Sequence, residues 1–380
     1  MKKSIGLITI HGVLNYGSLL QTFATSFTLK KIGHDCTVID YKYPTEYQLK
    51  NAPHFKVREK VSKELLFFKV IRKILTYYLG ISQKEKRNKF EAFKLKYLKF
   101  TRSYDSFQDI KVIPPDFDIY ITGSDQVWNP TYCHDDTTFL LDFVSKDKKK
   151  ISFASSFGAN DIIKDYKATY AELLKKYESI TVREYSGIEI VKELTGKDAQ
   201  WLLDPTFLLT ATEWSNYAKS IKKHSKPYIL CYLLAYSFNP FPFAYNFVEY
   251  IRKLTGYDVI YIGGDPLNAL KSGTKIFTNV GPEEFIALFR DASFVITSSF
   301  HGTAFATNFS KPFYTITSNQ NSHDDRQLSL MEKLGLQERM IQIGRKFPDK
   351  KDLELDFSEV KRILMLERQK SIDYLTNQTC

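Results

Sequence analysis

The chain has 380 residues, 43% of them apolar and 26% charged, with a formal net charge of +11. That length exceeds one ordinary hydrophobic core and predicts two domains in a protein of ordinary soluble composition. Cys36, Cys133, Cys231 and Cys380 form no C-x-x-C pair, which argues against a structural zinc or a disulfide framework, and no run approaches the roughly 20 apolar residues of a membrane span.

In chain order, Lys2 and Lys3 precede an apolar run at residues 5–10 that is too short for a secretory signal, so a cytoplasmic protein is expected. The run reads as a buried parallel strand. It leads through Asn15, Tyr16, Gly17 and Ser18 into a helix whose apolar positions recur at Leu20, Phe23, Ala24, Phe27 and Leu29, closing near Gly33. Residues 36–41 form a second strand, so the chain opens β-α-β, as doubly wound folds do.

Residues 50–100 carry 15 Lys or Arg against 4 Glu, equal to the whole positive excess. Apolar clusters interleave with these charges in an amphipathic helical pattern. We read residues 48–112 as a basic helical insertion with three roles open: a solvated insertion, a peripheral contact with an anionic membrane surface at its inner face, or a nucleic-acid contact. No nucleic-acid-binding motif supports the last, and no such partner is expected.

Beyond Pro114 and Pro115, strands are predicted at residues 117–122, 150–154, 179–182 and 201–203, with helices near 168–177 and 184–194. A boundary falls between about residues 210 and 226. Strands then recur at residues 228–234, 258–262, 294–297 and 312–316, with helices at 245–254 and 282–290, and a helical segment at 353–375. The expected division is an N-terminal Rossmann-like domain at 1–215, a C-terminal one at 225–345, and a segment at 350–380 packing back across the boundary. The fold class is α/β, two Rossmann-like domains facing a central cleft.

Polar residues gather at the strand tips, where ligands of open α/β sheets bind. Asn15 and Gly17 either cradle a ligand or turn the chain. Gly123, Ser124, Asp125 and Gln126 follow one strand. Asp125 is suited to accepting a sugar hydroxyl proton or to capping a helix, and Trp128 to stacking on a sugar or filling the core. Ser155 and Ser156 follow the next strand. Arg183 is read as a fork for a carboxylate or phosphate, or as a surface ion-pair partner of Glu184. His301 sits between Ser299 and Gly302-Thr303 at a strand-to-helix turn, where free N–H groups favour an anion. No P-loop or G-x-G-x-x-G occurs, and the pairs Asp135-Asp136 and Asp324-Asp325 are commonplace surface pairs, so no metal and no tightly bound cofactor are expected.

Taken together, Asn15-Tyr16-Gly17-Ser18 with Gln21, Gly123-Ser124-Asp125-Gln126-Val127-Trp128-Asn129, Ser155-Ser156-Phe157-Gly158, Val182-Arg183-Glu184, Leu203-Asp204-Pro205-Thr206 and Ser299-Phe300-His301-Gly302 resemble the polysaccharide pyruvyl transferases. The resemblance implies a fold similar to GT-B glycosyltransferases, phosphoenolpyruvate as donor substrate, and a saccharide or lipid-linked saccharide as acceptor in capsular or exopolysaccharide biosynthesis. It implies a donor-binding or catalytic pair at Arg183 and His301; from its own position Asp125 is expected to orient or deprotonate the acceptor hydroxyl. One position departs: many members carry arginine where this chain has Ser299, which leaves Lys311 or Arg326 as replacement cations, or a different donor. A GT-B glycosyltransferase using a nucleotide sugar and a non-catalytic glycan-binding protein are the alternative readings.

Overall fold

The computed structural model describes residues 1–46, 49, 66–221, 226–235, 237–263, 273–318 and 325–380, with the backbone alone for 66–79. The remainder of the expected insertion, and Asp324, lie outside the described residues.

The N-terminal sheet is parallel, with β1 (Ser4–Ile8), β2 (Asp35–Tyr41), β3 (Phe100–Tyr104), β4 (Ile119–Thr122) and β5 (Lys149–Ser152) in the order β3-β2-β1-β4-β5. A short parallel pair, β6 (Thr181–Val182) and β7 (Gln200–Trp201), follows beside it, tied by bridges from Ile151 to Ser179 and from Ser155 to Val182. The C-terminal sheet is also parallel. Its strands β8 (Tyr228–Tyr232), β9 (Asp258–Ile262), β10 (Thr274–Phe277), β11 (Phe294–Thr297), β12 (Phe313–Thr317) and β13 (Met340–Gln342) run in the order β10-β9-β8-β11-β12-β13. In each sheet the order reverses beside the first strand, between β1 and β4 and between β8 and β11. A crevice opens there at the strands' carboxyl ends.

The principal helices are α1 (Tyr16–Lys31), α2 (Leu66–Tyr97), α3 (Lys164–Leu174), α4 (Ser186–Thr195), α5 (Phe243–Thr255), α6 (Pro282–Asp291), α7 (Phe300–Asn308), α8 (Arg326–Leu334) and α9 (Ser358–Thr379). Among them α1 and α7 are buried nearly all round, their small and hydroxyl side chains included, which places them between layers rather than at the surface. One core joins the domains through Phe23 of α1, Trp214, and Phe285, Phe289 and Phe305 of α6 and α7. Tyr16 crosses the junction. Its ring stacks on Phe285 at 4.3 Å and its hydroxyl donates to the Val280 carbonyl.

Two features correct the reading of the basic insertion. The expected span of 48–112 contains β3, a strand of the N-terminal sheet, so the insertion ends before Phe100. From residue 80 onward α2 is also no free solvated helix. Phe90 and Phe93 are buried, Phe93 against Phe23 of α1, and beside them Lys89 pairs with Glu284, Lys96 and Tyr97 with Glu283, and Ser82 with Thr278. Nearby, the Lys86 ammonium lies 4.5 Å over the Tyr16 ring. Part of the charge of the expected insertion is engaged in contacts to the C-terminal domain.

Helix α9 starts beside α8, where Lys333 pairs with Glu367, and crosses to the N-terminal sheet. There the Tyr374 hydroxyl donates to the Ser152 carbonyl and Thr379 meets His34.

Candidate active site

The two switch-point crevices face each other, and the first turns of α1 and α7 meet between them. Asn15 caps α1 by accepting from the Gly17 and Ser18 N–H groups, and Ser299 caps α7 by accepting from the Gly302 N–H. The capping oxygens of both residues are therefore engaged in structure. Gly17 has a specific reason to be glycine: a Cβ there would lie 1.9 Å from His301 Nδ1. The N-terminal backbone thus lies directly against the C-terminal histidine.

Asp204 organises the opposite wall. It accepts from Arg183 Nη1 at 3.0 Å, Ser124 Oγ at 3.1 Å, and the Thr206 N–H and hydroxyl at 2.9 and 2.7 Å, and His301 Nε2 lies 3.5 Å away. Burial alone would raise its carboxyl. His301, Arg183 and the Thr206 N–H outweigh burial and hold it well below the usual range, so it is a fixed carboxylate. Asp204 stands in a quoted motif, yet the sequence reading gave it no role. Its place right after β7, capping the turn at Pro205–Phe207, was the available signal.

Arg183 is 2% exposed and rests on the Phe300 ring across the junction, 4.4 Å from guanidinium carbon to ring centre. Among the described residues its Nε and Nη2 atoms have no hydrogen-bond partner, and neither has His301 Nε2. Its ion-pair distances to Asp125 and Glu184 are both 3.9 Å. Glu184 is fully buried, not the surface partner considered from sequence. Buried donors without acceptors are rare in finished structures, and here several converge on one place.

Asp125 has φ of 73°, a left-handed conformation unusual outside glycine. It accepts from Ser18 Oγ at 2.5 Å and from the Gln126 N–H at 2.9 Å. Ser18, Ser124, Asp125, Arg183, His301 and Gly17 are thus brought together. The others support them. Gln21 donates to Thr9 and the Ser18 carbonyl, Gly123 packs on Thr9, Ser155 donates to the carbonyls of residues 122 and 123, and Gln126 accepts from Asn129. Ser156 accepts from the Gly158 N–H, Thr303 donates to the Ser299 carbonyl, and a Cβ on Gly302 would strike Thr297 Oγ1.

Trp128 corrects its sugar-stacking reading. It is fully buried, donates to the Phe139 carbonyl, and packs on Phe157 and Tyr177, so it fills the core. Lys311 is corrected too. It follows the far end of α7, roughly 10 Å of helix from His301, with Asp291 and Arg290 as charged neighbours. Arg326 by contrast acts electrostatically on Glu184. Among the described residues no group of three or more His, Cys, Asp or Glu is placed to hold a metal, and no helix is long and apolar enough to cross a membrane.

A family model for polysaccharide pyruvyl transferase matches residues 15–320, which span both crevices and every residue of the cluster. The chain belongs to that family. The polysaccharide pyruvyl transferases are transferases, so the cluster lies in an enzyme. No curated protein matches the sequence. Among solved structures, a Listeria monocytogenes protein assigned as a UDP-N-acetylglucosamine 2-epimerase is 12% identical with a TM-score of 0.51, covering 99% of this chain and 91% of its own. A calicheamicin glycosyltransferase is likewise 12% identical, with a TM-score of 0.50, covering 100% and 97%. These likenesses show the fold, two Rossmann-like domains of GT-B type around a cleft.

Proposed function

We propose that this family member transfers the pyruvyl group of phosphoenolpyruvate to two hydroxyls of a saccharide, forming a cyclic ketal. The observation that carries the reading is the set of buried, unpartnered donors on Arg183 and His301 between two helix N-termini, a setting suited to a carboxylate or phosphate.

In the proposed reaction the donor's methylene carbon gains a proton, positive charge develops at the adjacent carbon, and a sugar hydroxyl attacks there. Phosphate then leaves with its bonding electrons, and a second hydroxyl closes the ring with loss of its proton. Arg183 holds the carboxylate or phosphate. His301 Nε2, facing the same space, gives a proton to the methylene or to the departing phosphate. Asp125 takes the acceptor's proton; its contact with the Ser18 hydroxyl is the kind of contact an acceptor hydroxyl would make. The acceptor is a saccharide, free or lipid-linked, of a capsule or exopolysaccharide pathway, and the enzyme works in the cytoplasm or at the inner membrane face. No cofactor is required in this scheme.

The test is incubation with phosphoenolpyruvate and a panel of nucleotide- and lipid-linked saccharides, reading phosphate release and the mass of the acceptor. Saccharide-dependent release with a pyruvyl mass gain is expected; turnover of a nucleotide sugar in its place rejects the reading. Replacing His301 by Ala should lower the rate by about 10²- to 10⁴-fold. A loss under about tenfold would remove it from the chemistry.

A further inference from the structure

The cluster that is to receive an anion holds one permanent cation among three carboxylates. Asp204, Asp125 and Glu184 stand 3.0, 3.9 and 3.9 Å from the Arg183 guanidinium. A doubly or triply charged donor entering so buried a space meets like charge at close range unless a proton or a cation is added. Asp204 is committed to four hydrogen bonds as a carboxylate, and Asp125 accepts from Ser18 and the Gln126 N–H.

Glu184 is different. Its Oε1 accepts from the Phe157 N–H at 2.7 Å and the Gly158 N–H at 3.2 Å, while its buried Oε2 has no hydrogen-bond partner. Arg183 on β6, Ser156 in the loop after β5, and Asp325 with Arg326 at the start of α8 are the polar and charged groups that face it. Burial, reinforced by Asp325, outweighs the two arginines and pushes its carboxyl up to about 7. Oε2, without a hydrogen-bond partner among the described residues and 3.9 Å from Arg183 Nε, is a place for a proton beside the cation that the anion needs.

We propose that Glu184 takes up one proton as an oxyanion binds, freeing the Nε–H of Arg183 from a neighbouring negative charge and directing it to the anion. The proton comes from solvent to Oε2 and returns when phosphate leaves, and Glu184 forms no bond to the substrate. It is a positioning residue that acts through Arg183. The inference rests on the anionic donor proposed above.

Glu184→Gln is a close mimic of the protonated acid. The amide oxygen can keep both N–H contacts of Oε1, and the amide nitrogen takes the place of an oxygen that has no partner. The test is calorimetric titration of wild type and Glu184→Gln with phosphoenolpyruvate, and in parallel with sulfate, between about pH 7.5 and 8.5 in two buffers of different protonation enthalpy. Wild type should take up close to one proton per anion, with affinity falling roughly tenfold per pH unit. Glu184→Gln should take up almost none and hold its affinity across the range.

Wild-type binding without proton uptake overturns the inference. Equal uptake by Glu184→Gln also overturns it, because the proton then goes elsewhere, to His301 for instance. If sulfate binds with Glu184-dependent uptake and phosphoenolpyruvate does not bind, the donor reading falls and the role of Glu184 stands. Failure of both anions to bind overturns both.

Discussion

Asp204 is the residue whose loss the site can least absorb. Among the described residues Asp204 accepts the one hydrogen bond that the Arg183 side chain makes, its other two carboxylate neighbours lying at 3.9 Å. Asp204→Asn should leave a buried guanidinium without its charge partner, at a cost of about 3–5 kcal/mol in urea unfolding. The pH dependence has a definite sign. A carboxyl held below its ordinary 3.8 contributes stability above that value and loses it as pH falls further, so wild type should lose this increment below about pH 4 and the variant should not. Gly17→Ala tests the other wall. With a Cβ 1.9 Å from His301 Nδ1, the imidazole or the domain pairing must shift, and overpacking of about 1–3 kcal/mol with loss of turnover is expected. Unchanged turnover in Gly17→Ala would mean that His301 need not occupy its present position. At this scale the sequence was legible in part. Arg183, His301 and Asp125 lie at strand tips, where chemistry is expected. Asp204 was missed because its partners come largely from distant parts of the chain, and Trp128 stayed open between two roles because a tryptophan near a turn has the same local pattern whether it stacks on a ligand or fills a core.

Among the elements, the central strands declare themselves by short apolar runs, since strands covered on both faces exclude polar side chains. The edge strands β3, β10 and β13 do not, as they include exposed polar or charged side chains. Helix α2 shows the limit of amphipathic patterning: the pattern gives a helix but not what the charged face meets. Lys89 places its ammonium on both oxygens of Glu284, 2.8 and 2.7 Å away, and the same carboxylate accepts from the Gly281 N–H at the start of α6. Both groups are partly exposed, so a double-mutant cycle of Lys89→Met and Glu284→Gln should return a coupling of about 0.2–1 kcal/mol that shrinks with added salt. A coupling of zero at low salt would mean that the contact does not help hold the domains together.

At the scale of the whole molecule, the site is bipartite. Gly17, Ser18, Ser124, Asp125, Arg183 and Asp204 belong to the N-terminal domain, while Phe300 and His301 belong to the C-terminal one. The core that includes Phe23, Trp214 and Phe305 keeps these parts in contact. Helix α9 adds a second tie, with Lys333 to Glu367 at one end and Tyr374 to Ser152 at the other. Removing residues 358–380 should uncover the apolar surface of Phe153 and His34 and divide a single thermal unfolding transition into two, as scanning calorimetry would show. One unchanged transition would place the domain coupling in the core alone.

The path of α9 also orders events during synthesis. Of the described elements it leaves the ribosome last, and by then every strand of the N-terminal sheet has long been exposed. The surface beside Phe153 must wait for its cover through translation of the entire second domain. Domains tend to fold as they emerge, so the first half of this chain passes through a period with a finished sheet and an open apolar flank. In that interval it is most exposed to aggregation and to capture by chaperones.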